Sequence, residues 1–189
     1  MIDRERAWSD GNLDAAIKHT VLDDLANNGT RPEWVRYQGR WVIATSDYGS
    51  ERNELRLYNP DRLAQVSRTS APGVLIKKWP CGPFVQSIHF IDGLAPDGSR
   101  VEGGGTAVLV QNITPGLGYR LTLVDLQAAA EMDDLRGLTT IDFAYPTDEL
   151  EGFAVLPGFE DGEGWAAMLS ASREENLHLI RFSLPPKGE

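Results

Sequence analysis

The sequence predicts an all-β fold made of three repeats of one antiparallel unit, and two observations support this prediction. Segments that alternate apolar and polar residues occur three times, as LRLY at 55–58, LTLV at 121–124 and LHLI at 177–180. Each follows a solidly apolar run, which is WVIAT at 41–45, TAVLV at 106–110 or WAAML at 165–169. Alternation indicates a strand with one buried face, whereas a solid apolar run indicates a strand covered on both faces.

Each unit also begins with a short strand that ends at a turn glycine. These glycines are Gly39, Gly93 and Gly158. The stretches after the first two units each predict a fourth strand, GVLIKKW at 73–79 and LTTIDF at 138–143. The third unit is followed only by PPKGE. We therefore expect three antiparallel four-stranded sheets, the third of which lacks an outer strand of its own.

A unit of three or four antiparallel strands that returns at intervals of roughly 60 residues is typical of a propeller blade. One such sheet cannot bury both of its faces, but sheets stacked side by side can. In this strand pattern, residues 31–184 resemble the six-bladed β-propeller proteins of the lactonase-like and NHL-like group. The resemblance implies three propeller blades, which is half of a six-bladed ring.

Three blades do not close a ring, because closed propellers need about four to eight blades. Two open flanks of apolar sheet would remain, and apolar surface of that extent marks an interface. We expect a homodimer that forms one six-bladed ring. Residues 31–189 would be the three-blade domain. The N-terminal segment 1–30 contains IKHTVL at 17–22, which can serve as an outer strand exchanged into the partner's third blade.

Two other interpretations of the repeats stay open. The chain is a fragment of a longer propeller in one of them, and a β-sandwich with coincidental repeats in the other. Helical composition is limited to 12–25 and 127–135, and the second of these is rich in alanine, glutamate and methionine.

Composition narrows the class of partner. The net charge of -10 and the pI of about 4.8 disfavour nucleic acid and anionic membrane surfaces as partners. The polar N-terminus lacks the apolar core of a secretory signal, which predicts a cytoplasmic protein. Cys81 is the only cysteine, so neither an internal disulfide nor a cysteine-rich zinc site is expected. We expect Cys81 to be a small buried side chain that fills space in the core.

Polar residues recur at the two strand ends expected to face the ring axis. Glu33, Gln86 and Glu151 come just before or at the start of the inner strands, and Asp47 and Asn112 follow the second strands. The resemblance to lactonase-like propellers implies that Glu33, Asp47, Asn112 and Glu151 hold Ca²⁺ or another divalent cation through oxygen ligands. The competing interpretation is that they satisfy strand ends and bind channel water.

Three further residues are candidates near the channel. His89 is a candidate general base, although a packed histidine is the alternative. Gln86 and Trp34 are candidate ligand-binding residues, with the core as the alternative for Trp34. Because His89 is three residues after Gln86 on one strand, we expect the two side chains on opposite sides of that strand.

These patterns support two function hypotheses. The first is a propeller-like binding or scaffold module for a small polar ligand or a protein partner. The alternative is a metal-dependent hydrolase or lyase of the lactonase type, with its site in the central channel.

Overall fold

The computed structural model describes residues 9, 17–29, 31–114, 118–132, 135, 139–143, 149–172 and 174–185. Within these ranges the chain is mostly β, with eleven strands in three antiparallel sheets. The all-β prediction is confirmed. No helix in the described ranges has the length and apolarity that a bilayer span requires.

The three sheets follow one another along the chain, and each is ordered as the sequence is. The first contains β1 (Glu33–Tyr37), β2 (Arg40–Ser46), β3 (Glu54–Tyr58) and β4 (Leu75–Pro80). The second contains β5 (Val85–Leu94), β6 (Arg100–Thr114), β7 (Gly118–Asp125) and β8 (Thr139–Phe143). The third contains β9 (Leu150–Val155), β10 (Glu163–Ser170) and β11 (Leu177–Ser183). Two short helices, α1 (Pro60–Leu63) and α2 (Leu126–Met132), each precede the fourth strand of a sheet.

Every strand predicted from the repeats coincides with an observed strand, and the third sheet has three strands in the described residues. The helix predicted at 127–135 corresponds to α2. The helix predicted at 12–25 is wrong for its described part, residues 17–25. The backbone there is held by another segment, since Leu22 N donates to Ser67 O at 2.9 Å and Thr69 N donates to Leu22 O at 3.0 Å.

Two apolar cores lie on opposite faces of the second sheet. The first core joins that sheet to the first sheet, through residues such as Val35, Trp79 and Leu109. The second core joins it to the third sheet, through residues such as Val108 and Phe153. Neighbouring residues of β6 therefore belong to different cores, which is the physical reason for the solid apolar run in this strand.

The first strands of the three sheets lie side by side. β5 contacts β1 of the first sheet and β9 of the third. Because each first strand begins at the same end of its sheet, the segments around residues 31, 85 and 149 come together at that end. We call this end the mouth.

Gly105 in β6 marks a close approach between two strands. A Cβ atom at this position would lie 2.3 Å from the Ile91 carbonyl oxygen and 2.6 Å from the Phe90 ring. The Ile91 oxygen belongs to the backbone of β5, so it cannot move without disturbing the pairing of β5 with β6. The site has no room for any side chain.

Gly105→Ala should lower the free energy of unfolding by about 1–3 kcal/mol, because the added methyl group overpacks the contact with β5. Gly152→Ala is the matched control in a strand, since its Cβ would meet its nearest neighbour at an ordinary 3.6 Å. Urea denaturation of both variants measures the difference. Equal stability of the two variants would contradict the close approach at Gly105.

Candidate functional site

A polar cluster at the mouth draws residues from all three sheets. We call Arg31, Tyr48, Gln86, Glu149 and Glu151 the mouth cluster. Arg31 comes just before β1 and Tyr48 just after β2, whereas Gln86 lies near the start of β5. Glu149 and Glu151 lie at the start of β9. The fold therefore brings five polar side chains from separate parts of the sequence to one end of the sheets.

Direct contacts connect four members of the mouth cluster, and Glu151 acts on Tyr48 through its charge. Arg31 Nε donates to the Gln86 carbonyl oxygen at 2.8 Å. The Arg31 guanidinium also lies 5.6 Å from the centre of the Tyr48 ring. Gln86 Nε2 donates to Glu149 Oε2 at 3.2 Å. These contacts cross from the first sheet to the second and from the second to the third, so the cluster has a defined geometry.

The electrostatics of the cluster keep Tyr48 protonated. Burial raises the pKa of Tyr48, and the negative charges of Glu149 and Glu151 raise it further, against the opposing charge of Arg31. Phe84 lies beside it, with ring centres 5.7 Å apart. An aromatic wall next to two carboxylates suits a ligand that carries hydroxyl or amine donors.

Glu33 and Trp34 occupy two different faces at the start of β1. Glu33 is half-buried, and burial raises the pKa of its carboxyl group while a hydrogen bond from the Trp34 backbone opposes this. The Trp34 side chain is 52% exposed and lines a depression on the outer face of the first sheet with His19 and Val21. The alternative of a core position for Trp34 is therefore wrong, and its role as a ligand-binding residue stays a prediction.

Asp47 serves as the anion of a buried ion pair. Its carboxylate accepts from Arg56 at 2.9 Å and 2.5 Å and from the backbone amides of Asn27 and Glu54. Both side chains of the ion pair are at most 1% exposed. Burial alone would raise the pKa of Asp47, but the hydrogen bonds from Arg56 and the two amides outweigh burial and lower it. Both oxygens are therefore committed: Oδ1 joins the first sheet to Asn27, and Oδ2 holds Asp47 to Glu54 of β3.

The four residues predicted to hold a cation lie in different surroundings. Asn112 is buried, and its Oδ1 accepts from Leu150 N at 3.1 Å. Glu151 belongs to the mouth cluster, whereas Asp47 does not. Across the described ranges, no group of three or more His, Cys, Asp or Glu residues is placed to hold a metal ion. The ligand set of Glu33, Asp47, Asn112 and Glu151 is not assembled in this part of the chain.

His89 joins the second sheet to the third. Its Nε2 accepts from Val155 N at 3.2 Å, and its ring meets Phe153 edge-on at 5.9 Å. Burial lowers the pKa of His89, which favours the neutral ring that such an acceptor needs. The nitrogen that a general base would use is thus engaged with the backbone.

The expectation that His89 and Gln86 point to opposite sides of β5 is wrong. Both side chains reach the third sheet, His89 at Val155 and Gln86 at Glu149. The pairing of β5 with β6 shifts between Val85 and Ser87. This bulge at Gln86 breaks the alternation of side chains, so counting residues along the strand fails there.

Cys81 is partly buried against the first core. Burial raises the pKa of its thiol to about 12, and the charge of Asp47 contributes in the same direction. The thiolate is therefore scarce at neutral pH, so the site gives this cysteine no nucleophilic character.

Sequence reasoning missed Arg31, Tyr48 and Glu149 in the mouth cluster. Two of them had a usable signal: Arg31 and Glu149 each stand two positions before a candidate, Glu33 or Glu151, and residues two apart share a strand face. Tyr48 directly follows Asp47. Asp47 was predicted to be a metal ligand, but Tyr48 is the residue of the two that belongs to the mouth cluster.

The sequence matches no protein-family model, and no curated protein matches it.

Asp47→Asn should destabilise the protein by about 3–5 kcal/mol at pH 7, because Arg56 would keep a buried charge without its partner. Asp142→Asn is the matched control, since Asp142 pairs with Arg120 at the surface and should matter far less. Urea denaturation across pH measures both effects.

The pH dependence has a defined sign. Asp47 has a folded-state pKa below its ordinary value of 3.8, so its contribution is complete above that value and is lost as the pH falls through the folded-state pKa. The stability difference between wild type and Asp47→Asn should shrink over that acidic range. A difference that stays constant down to pH 2 would contradict the assignment.

Proposed function

We propose that this chain is a propeller-like binding or scaffold module that works as a homodimer and holds a small polar ligand at the mouth cluster. One observation carries the proposal. The second sheet is covered on both faces, whereas the first and third sheets each expose large apolar side chains on their outer faces.

The outer face of the third sheet is the more exposed of the two. Its large apolar side chains are Trp165, Leu169, Leu177 and Leu179, with exposed fractions of 50%, 45%, 64% and 62%. They share one face, because Leu169 pairs with Leu177 and Ala167 pairs with Leu179 across β10 and β11. A contiguous apolar patch on a sheet face is typical of an interaction surface.

The outer face of the first sheet carries a related pattern. Trp34 is 52% exposed there, whereas Trp41, which is 45% exposed, also meets Phe90 of the second sheet edge-on at 6.0 Å. Trp41 and Trp165 each lie under an arginine of the neighbouring strand. Arg36 lies 5.0 Å from the Trp41 ring, and Arg181 lies 5.5 Å from the Trp165 ring. The repeated pair supports the interpretation of the first and third sheets as copies of one structural unit.

A second copy is the occupant that this arrangement favours. Within the chain, each sheet stacks on the next in sequence order, with its first strand beside the first strand of its neighbour. Continuing that order places the first sheet of a second copy on the third sheet of the first. A two-fold axis repeats the contact on the other side and closes a ring of six sheets.

An exchanged outer strand remains part of the proposal. In the described residues, β11 pairs with β10 and has no strand on its other side. Residues 17–22 of the second copy can add there by β-augmentation. In this chain Leu22 is bonded to residues 67 and 69, and the His19 ring contacts the carbonyl oxygens of Leu63 and Val66, so exchange requires these contacts to open.

The mouth cluster supplies the binding site of the proposed module. Its residues come from all three sheets, so a ligand there would contact residues next to each of the sheets. Its carboxylates and the Tyr48 hydroxyl favour a ligand with several hydrogen-bond donors. The metal-dependent alternative gains no support, because the side-chain oxygens of Asp47 and Asn112 accept hydrogen bonds from Arg56 and from Leu150 N.

Leu179→Glu should convert a dimer to a monomer, because the new charge would be buried between two sheets. Thr140→Glu is the control, since it adds the same charge at an exposed position of the second sheet. Light scattering after gel filtration should give twice the chain mass of 20.8 kDa for wild type and the control, and 20.8 kDa for Leu179→Glu. A wild-type monomer at micromolar concentration would contradict the dimer.

Putrescine and myo-inositol, an amine and a polyol, are probes of the mouth cluster. We expect at least one to give a saturable ligand-observed NMR signal. The double change Glu149→Gln and Glu151→Gln should weaken that binding about tenfold or more, because charge-assisted hydrogen bonds are lost. Glu160→Gln with Glu163→Gln is the control on the exposed β9–β10 turn. Equal binding by both double variants, or no signal from either probe, would contradict the site.

A further inference from the structure

The first strands of the three sheets can be compared residue by residue, because each of them leads to a turn glycine in the left-handed conformation. These glycines are Gly39, Gly93 and Gly158, with φ values of 75°, 75° and 90°. We call the fifth residue before each glycine position −5 and the fourth residue before it position −4. The residues at position −5 are Trp34, Ile88 and Phe153, and those at position −4 are Val35, His89 and Ala154.

The residue at position −5 faces the preceding sheet. Ile88 of the second sheet is 6% exposed and belongs to the first core, and Phe153 of the third sheet is 6% exposed and belongs to the second core. Trp34 is 52% exposed and lies on the opposite side of β1 from Val35, which belongs to the first core. No preceding sheet exists in the described residues, so Trp34 lacks the sheet that covers its two counterparts.

The residue at position −4 faces the following sheet. The His89 ring meets the Phe153 ring edge-on, with centres 5.9 Å apart, so position −4 of the second sheet contacts position −5 of the third. Val35 and Ile88, which hold these positions one sheet earlier, share the first core. Ala154 is on the outer face of the third sheet, which no following sheet covers in the part of the chain that is described. The next contact in this series would therefore join Ala154 to Trp34 of a second copy.

Ala154 lies in a hollow of the outer face of the third sheet. It pairs with Ala167 across β9 and β10, and Gly152 lies on the same face two residues before it. All three are small and half-buried. The hollow is bordered by larger exposed side chains, which are Trp165, Leu169 and Leu179.

We propose that Trp34 of one copy packs into this hollow, on Ala154 and Ala167 of the other copy, and is the anchor of the interface. This contact rests on the homodimer proposed above and assigns which residues join its two copies. The sizes are complementary, because the smallest residue at position −4, Ala154, meets the largest at position −5. A tryptophan seated in a fully desolvated pocket is typical of the few residues that dominate an interface. Because the contact joins different residues of the two copies, a two-fold axis produces it twice.

Exchanging the large and small side chains tests the contact, with the dimer dissociation constant measured by sedimentation. Trp34→Ala removes the anchor and Ala154→Trp fills the hollow, so each should weaken dimerisation about thirtyfold or more. The double variant has the large side chain on the other copy and should dimerise about tenfold more tightly than either single variant. Ile76→Ala is the control and should leave the constant unchanged, since Ile76 is 42% exposed on β4, at the opposite edge of the first sheet from β1.

Cross-linking supplies a second measurement that does not depend on affinity. In a Cys81→Ala background, the chain with both Trp34→Cys and Ala154→Cys should form covalent dimers with a short bismaleimide, and either single cysteine should not. The two copies of one position lie at different contacts of a two-fold dimer, so a single cysteine has no partner within reach. A monomeric wild type would refute the dimer itself. In a dimeric wild type, an unchanged dissociation constant for Trp34→Ala, or no covalent dimer from the two-cysteine chain, would overturn this contact and leave the dimer standing.

Discussion

Burial of the second sheet on both faces is the constraint on which the rest of the structure depends. Alternate residues of β6 enter alternate cores, so Leu109 contributes to the first core and Val110 to the second. Each fully buried side chain of this kind contributes about 1.5–3 kcal/mol. Because one sheet provides a wall for both cores, the first and third sheets are fixed relative to each other through it.

The same stacking leaves the two ends of the array different from one another. The outer face of the first sheet is partly covered by residues 17–29, through the buried Asp47–Arg56 pair and a hydrogen bond from the Tyr58 hydroxyl to Asp23. The outer face of the third sheet has no comparable cover in the described residues, and its leucines are more than half exposed at Leu177 and Leu179. This is the end that the second copy would cover in the proposed dimer.

The mouth cluster and the apolar space between the second and third sheets both follow from how neighbouring sheets stack. Where the first strands of the three sheets converge, strand ends bring charged side chains together and form the mouth cluster. Between the outer strands of the second and third sheets, the described side chains surround an apolar cavity of about 500 Å³. Gln86 and Glu151 could be placed near the mouth from the repeat alone. The ion pair of Asp47 with Arg56 could not be predicted in this way. The two residues lie on different strands, and the sequence pattern does not show which buried charges meet.

The sequence by itself determined the number, order and position of the strands in the described residues, because the two-residue period of a strand is a local property. Tertiary structure decided which side chains meet. The bulge at Gln86 moved its side chain to the same side as His89, and stacking left Trp34, Trp41 and Trp165 about half exposed. These outcomes depend on register shifts and on which sheet covers which face, and neither is encoded in the pattern of any one segment.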